Sequence, residues 1–168
     1  DKPEEVQIIL IGKPFHQLQG HTSFVNCIDF SPDGAFLASG GGYEDHSIKI
    51  WETASGKLTT TLQGHDDAVW SLAYSPRGDL LASTGPDQTI RLWNPTEGNQ
   101  VTLLKGHEDE INTVCFSPDG NHLVTGSDDR TVCIWDPVAG VELRKMEGHT
   151  DFVNCVRCSP DGSRIASA

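Results

Sequence analysis

A Gly-His pair recurs at Gly20-His21, Gly64-His65, Gly106-His107 and Gly148-His149, with successive histidines 44, 42 and 42 positions apart. A fixed period of this length constrains the chain more than any local propensity does. It belongs to architectures that repeat one supersecondary unit, each unit burying against the next a face that it cannot bury alone. The 168 residues are enough for one domain with its own core, so the repeats are read as parts of a single folding unit.

Two further landmarks keep step with the first. Ser31-Pro32-Asp33-Gly34 returns as Ser75-Pro76-Arg77-Gly78, Ser117-Pro118-Asp119-Gly120 and Ser159-Pro160-Asp161-Gly162. Each reads as a tight hairpin turn, with Pro presetting φ and Gly supplying positive φ. An alternating run also closes on Trp three times, as Ser47-Ile48-Lys49-Ile50-Trp51, Thr89-Ile90-Arg91-Leu92-Trp93 and Thr131-Val132-Cys133-Ile134-Trp135. Alternation rich in β-branched residues marks a strand. The first repeat therefore divides into strands a (25–30), b (36–39), c (47–51) and d (57–62), and later repeats follow at about 42 residues.

The sequence of landmarks, Gly-His, then Ser-Pro-Asp-Gly, then Trp-Asp, resembles the WD-repeat family over about residues 16–168. Only Trp135-Asp136 keeps the full closing dipeptide; Trp51-Glu52 and Trp93-Asn94 depart from it without altering the structural reading. The resemblance implies an all-β fold, a WD-repeat β-propeller built of four-stranded antiparallel blades packed face to face around a channel. The expected organisation is one partial propeller, 1–168, with repeats at about 16–56, 60–98, 102–140 and 144–168, the last truncated. An outer d strand near 6–18, three full abcd sets and a final a and b give 15 strands and no closure. The expectation is an open arc of about four blades, a fragment of a longer protein. Completion by a second copy through open blade edges is the weaker expectation.

Each Trp is preceded at fixed spacing by an Asp and a Ser or Thr, and the Gly-His histidine lies 18 residues before that hydroxyl. The sets are His21, Ser39, Asp45 and Trp51, with two extra residues around Gly42-Tyr43; His65, Ser83, Asp87 and Trp93; and His107, Thr125, Asp129 and Trp135. His149 and Ser167 begin a fourth. These look like the structural tetrads of the family. Ser, His and Asp could also serve nucleophilic catalysis. However, a reaction centre occurs once per site, whereas this set returns in every blade. An imidazole between Asp and a hydroxyl that accepts from an indole satisfies four buried polar groups together. No enzyme activity is expected.

Composition narrows the partners. Twelve basic against 24 acidic residues give a net charge of -12, which repels phosphate backbones and anionic lipid, so neither direct nucleic-acid binding nor membrane insertion is expected. Five cysteines without the clustered spacing of a disulfide scaffold suit a reducing cytoplasmic or nuclear compartment. The apolar run at 6–11 follows acidic residues rather than a basic segment, which argues against a secretory signal. Cys155 and Cys158 have the spacing of a zinc or redox pair, but residues three apart on a strand face opposite sides, and no second pair completes a site. No metal or cofactor is expected. Gly40-Gly41-Gly42 precedes no Lys-Ser/Thr and reads as a lengthened b–c turn rather than a phosphate cradle.

By resemblance, partners bind the face carrying the d–a and b–c loops, where loops stand on a rigid scaffold. The positions concerned are Phe24, Asn26, Glu44, Ala68, Trp70, Pro86, Glu110, Asn112, Asp128, Phe152 and Asn154. Phe24, Trp70 and Phe152 read as interface anchors, the asparagines as a polar ring at the channel mouth, and the carboxylates as complements to Lys or Arg. The expected function is a scaffold or adaptor that binds other proteins or peptides, basic ones preferred. The alternative is the sensor propeller of a larger multidomain signalling NTPase or kinase.

Overall fold

The computed structural model describes residues 5–10 and 13–168, with side chains from residue 16 onward. The hairpin β1 (Glu5–Leu10) and β2 (Lys13–Gln19) comes first. The first complete blade holds β3 (Val25–Phe30), β4 (Phe36–Gly41), β5 (Ile48–Glu52) and β6 (Lys57–Leu62). The second holds β7 (Ser71–Tyr74), β8 (Leu81–Thr84), β9 (Ile90–Asn94) and β10 (Asn99–Leu104). The third holds β11 (Ile111–Phe116), β12 (Leu123–Ser127), β13 (Val132–Asp136) and β14 (Val141–Met146), and a two-stranded sheet of β15 (Val156–Cys158) and β16 (Ile165–Ser167) follows. Within each sheet, chain neighbours pair antiparallel and no strand crosses from one sheet to another. The described residues contain strands and no helix.

In place of a single outer strand over 6–18 there are two strands, with Val6 opposite Leu18 and Leu10 opposite Lys13; residues 11 and 12 lie outside the described residues. The Val6–Leu18 pair corresponds to Ile48–Leu62 in the next blade, so the hairpin is a c–d pair. The described strands number 16 rather than 15. The sequence concealed β1 because Ile9 stands where later c strands carry Trp, and the landmark is therefore missing.

Both faces of a complete sheet are used. Ala38, Ile48, Ile50 and Leu62 of the first blade pack against Val69, Leu72, Tyr74 and Leu81 of the second. Ala82, Ile90 and Leu92 then meet Ile111, Val114 and Phe116 of the third. Val124 and Val132 meet Val153 and Val156 at the last junction. Burying a side chain of this size contributes roughly 1.5–3 kcal/mol, so the stack of sheets is itself the core. At the other end only the β1–β2 hairpin precedes β3, and Ile28 and Phe30 are 53% and 48% exposed, whereas the equivalent Leu72 and Tyr74 are 7% and 8% exposed. The arc is open there.

Main-chain bonds tie each blade to the next: Val69 N–H donates to Gly41 O (2.9 Å), Ile111 N–H to Gly85 O (3.1 Å) and Val153 N–H to Ser127 O (3.0 Å). In the three complete blades the Gly of the Gly-His pair has a packing reason. A Cβ on Gly64 would lie 3.0 Å from the Trp93 ring, and one on Gly106 would lie 2.8 Å from the Trp135 ring.

Candidate functional site

Strand register brings each tetrad together. His21 Nδ1 lies 2.7 Å from Asp45 Oδ2, its Nε2 lies 2.7 Å from Ser39 Oγ, and Trp51 Nε1–H donates to Ser39 Oγ at 2.8 Å. The second blade repeats this with His65, Asp87, Ser83 and Trp93 at 2.7, 2.7 and 2.8 Å. The third uses His107, Asp129, Thr125 and Trp135 at 2.8, 2.7 and 2.9 Å. In the last sheet His149 Nε2 lies 2.8 Å from Ser167 Oγ. One protonation pattern satisfies every group: Nδ1–H donates to the carboxylate, Nε2 accepts from the hydroxyl, and the hydroxyl oxygen accepts from the indole.

The aspartate does more than orient histidine. Its Oδ2 also accepts the N–H of the residue after the histidine, from Thr22 at 2.8 Å, Asp66 at 3.2 Å and Glu108 at 3.0 Å. Its Oδ1 accepts the backbone N–H at the start of strand c, from Ser47 at 3.3 Å, Thr89 at 3.1 Å and Thr131 at 2.9 Å. The hydroxyls of Ser47, Thr89 and Thr131 donate to the same oxygens. One carboxylate thus joins the d–a loop to the b–c loop. The residue after it, His46, Gln88 or Arg130, sits at φ of 55°, 60° or 68°, a left-handed conformation of the kind that persists where surrounding bonds over-determine it. The strand-c hydroxyl is a fifth member that the sequence reading missed. Its signal was present, a Ser or Thr four residues before each Trp.

Charge in this frame follows from its bonds. Burial works against the Asp87 carboxylate, but hydrogen bonds and attraction from His65, with those from Thr89, outweigh it and hold the pKa at about 2. Asp45 and Asp129 are also held below the ordinary value, again against burial, chiefly by bonds from Ser47 and from Thr131. Burial lowers His21 and His107 below 6.5 even though Asp45 and Asp129 pull the other way. The unfolded chain therefore binds more protons than the folded one just below pH 6.5, and stability falls as pH falls. The aspartates add a second loss below their ordinary value of 3.8. Calorimetry across pH should give a level melting temperature above about pH 7, a decline beginning near 6.5 and a steeper one below about 4. A melting temperature that rises on acidification from 7 to 5 would contradict this assignment.

The residues expected at the loop face are not equivalent. Phe24 and Phe152 are 65% and 53% exposed. Asn26, Glu44 and Asn154 are exposed, whereas Trp70, Pro86, Glu110, Asn112 and Asp128 are half-buried. Ala68 is a correction. It is fully buried, because its carbonyl passes within 2.0 Å of where a Cβ on Gly85 would stand, and it offers no surface. The asparagines are less free than a polar ring requires. Asn26 Nδ2 donates to Val69 O at 3.3 Å, and Asn112 Nδ2 donates to Val153 O at 3.2 Å and to Asp128 Oδ1 at 2.6 Å. Each of these two ties its blade to the next. Burial and the neighbouring carboxylates of Asp128, Asp109 and Asp67 raise the pKa of Glu110, so acidic side chains from two blades crowd one stretch of this face.

Comparison with known proteins agrees with this architecture. The family model for the WD domain, G-beta repeat, matches residues 12–52, 56–94, 98–136 and 140–168. Apoptotic protease-activating factor 1 of Rattus norvegicus is 38% identical over 58 residues, 34% of this chain and 4% of that protein. Ribosome assembly protein 4 of Saccharomyces cerevisiae is 41% identical over 49 residues, 29% of this chain and 9% of that protein. The matched stretches span under a tenth of either relative. The crystal structure of the RRP9 WD40 repeats superposes with a TM-score of 0.77 and 27% identity, covering 81% of this chain and 42% of that one. Because four successive units of the family model account for most of the sequence, and its sheets stack as an unclosed arc of such units, the chain belongs to the WD domain, G-beta repeat family.

Proposed function

We propose that this chain is part of a non-enzymatic interaction scaffold, whose d–a and b–c loop face binds a basic peptide or partner domain. Propellers of this family serve generally as protein-interaction modules. The observation that carries the reading is the crowding of Glu110 with Asp67, Asp109 and Asp128 on a face that also carries the exposed Phe24 and Phe152. Large aromatics at a loop face are candidate anchors, and clustered carboxylates complement Lys and Arg. The tetrads hold the loops beneath them, so the surface is set before a partner arrives, which lowers the ordering cost of binding. A cytoplasmic or nuclear setting fits five free thiols.

The Trp70→Ala variant tests the reading, because Trp70 is a half-buried aromatic at the entrance to strand a of the second blade. Titration calorimetry with a Lys/Arg-rich peptide should show wild-type binding that weakens as salt rises, and a loss of roughly tenfold or more in the variant. Equal binding by both proteins, or none by wild type at low salt, would remove the proposal. A second reading is a sensor propeller within a longer signalling NTPase or kinase; the similarity to a factor that activates an apoptotic protease fits a signalling setting.

A further inference from the structure

All five cysteines are free thiols, and two of them meet. Cys27 Sγ–H points to Val69 O at 3.5 Å, Cys133 is buried beside His107 and Thr131, and Cys155 is exposed. Cys115 Sγ and Cys158 Sγ lie 3.8 Å apart across the junction between the third blade and the β15–β16 sheet. The proximity follows from the repeat. Cys115 occupies in β11 the place of Asp29 in β3, and Cys158 occupies in β15 the place of Tyr74 in β7. At the earlier junction Asp29 Oδ2 accepts the Tyr74 N–H at 2.7 Å. At the later junction the two sulfurs face each other in place of that carboxylate and ring. Among the described residues no cluster of three metal-ligating side chains exists, so coordination does not explain the pair.

We propose that Cys115 and Cys158 are an oxidative modification site that closes to an inter-blade disulfide, stapling the β15–β16 sheet to the third blade. The sulfurs need to approach from 3.8 Å to about 2.05 Å, a movement within reach of side-chain rotation and a small strand shift. The sheet that would be fastened is short and open on one side: β15 and β16 have three residues each, and every residue of β16 is exposed. Hydrogen peroxide is the oxidant. The Cys158 thiolate attacks one peroxide oxygen, the O–O bond breaks, and a sulfenic acid forms as hydroxide leaves and takes up the proton lost by Cys158. Cys115 sulfur then attacks the Cys158 sulfur, the S–S bond forms, and the sulfenic oxygen departs as water with the Cys115 proton. Two thiols and one peroxide give one disulfide and two waters. Burial, reinforced by Cys158, pushes the Cys115 thiol up to about 12, which assigns it the second, intramolecular step.

The test is peroxide treatment of the 168-residue chain, alkylation of remaining thiols, and tryptic mapping without reductant. Trypsin cuts after Arg157 and so places Cys155 and Cys158 in different peptides. The expected product joins the Cys115 peptide to the Cys158 peptide, is released by dithiothreitol, and accompanies a melting temperature raised by about 5 °C or more. Cys158→Ser should lose both effects and Cys155→Ser should keep both. Alkylated Cys115 and Cys158 beside an oxidised Cys155, or a Cys115–Cys155 link, would overturn the proposal. The wild-type map decides the matter alone if Cys158→Ser folds poorly.

Discussion

Replacing His65 with alanine is expected to lower the melting temperature by about 5–15 °C, corresponding to a loss of roughly 2–4 kcal/mol. The His65 and Asp87 side chains are only 1% and 4% exposed, so water cannot take over the bonds that the imidazole makes. Removing it deprives the Asp87 carboxylate and the Ser83 hydroxyl of a partner each. It also leaves a void next to the fully buried Trp93. The loss should be local as well as global, because Asp87 also holds Asp66 N–H and the start of strand c. Amide exchange in the loops around Asp66 and Gln88 should therefore accelerate more than exchange in β12. Calorimetry on the purified variant checks the magnitude, and an unchanged melting temperature would mean that the tetrad contributes nothing to stability.

Gly85→Ala is expected to be comparably damaging for a different reason. The new methyl would stand 2.0 Å from the Ala68 carbonyl oxygen and 3.2 Å from its carbon, so backbone rather than a flexible side chain must move. Forced rearrangement of a packed interior costs typically 1–3 kcal/mol, and here it also strains the Ile111 N–H to Gly85 O bond between blades. The third blade gives the comparison. Ser127 fills the corresponding place, and its hydroxyl donates to Asp109 O at 3.2 Å, so the loop there has withdrawn to admit a side chain. Ser127→Gly should accordingly change stability far less than Gly85→Ala, a contrast readable by urea denaturation of the two variants. Equal small effects would mean that the loop at Ala68 yields freely.

The contrast between these two positions shows what a repeat pattern conveys. Period and alternation specify which strand a residue occupies and which neighbours it meets, because register follows from turn geometry. That is why β3 and β6 begin and end where the alternating runs do, and why His, Ser or Thr, Asp and Trp at fixed spacing arrive within bonding distance. Depth is not carried by the same pattern. Ala68 and Phe24 share one repeat position, yet one is wholly buried and the other 65% exposed, although the carbonyls of both lie against a glycine of the b–c segment. Asn112 was legible as a rim residue, but its bonds to Asp128 and Val153 depend on how the next blade docks. The β1–β2 hairpin was hidden because Ile9 replaces the Trp by which the other c strands are recognised.

Function enters at the same level. The frame formed by His, Asp and the two hydroxyls lies beneath the d–a and b–c loops, and those loops carry the acidic and aromatic side chains proposed to meet a partner. The most direct measurement is a thermodynamic cycle in which His65→Ala, Asp87→Ala and the double variant are unfolded by urea. If the two side chains work as one unit, the second change should add little to the first, with a coupling of about 1–3 kcal/mol. Losses that simply add, to within about 0.5 kcal/mol, would show the pair to be independent and the shared frame to be wrong.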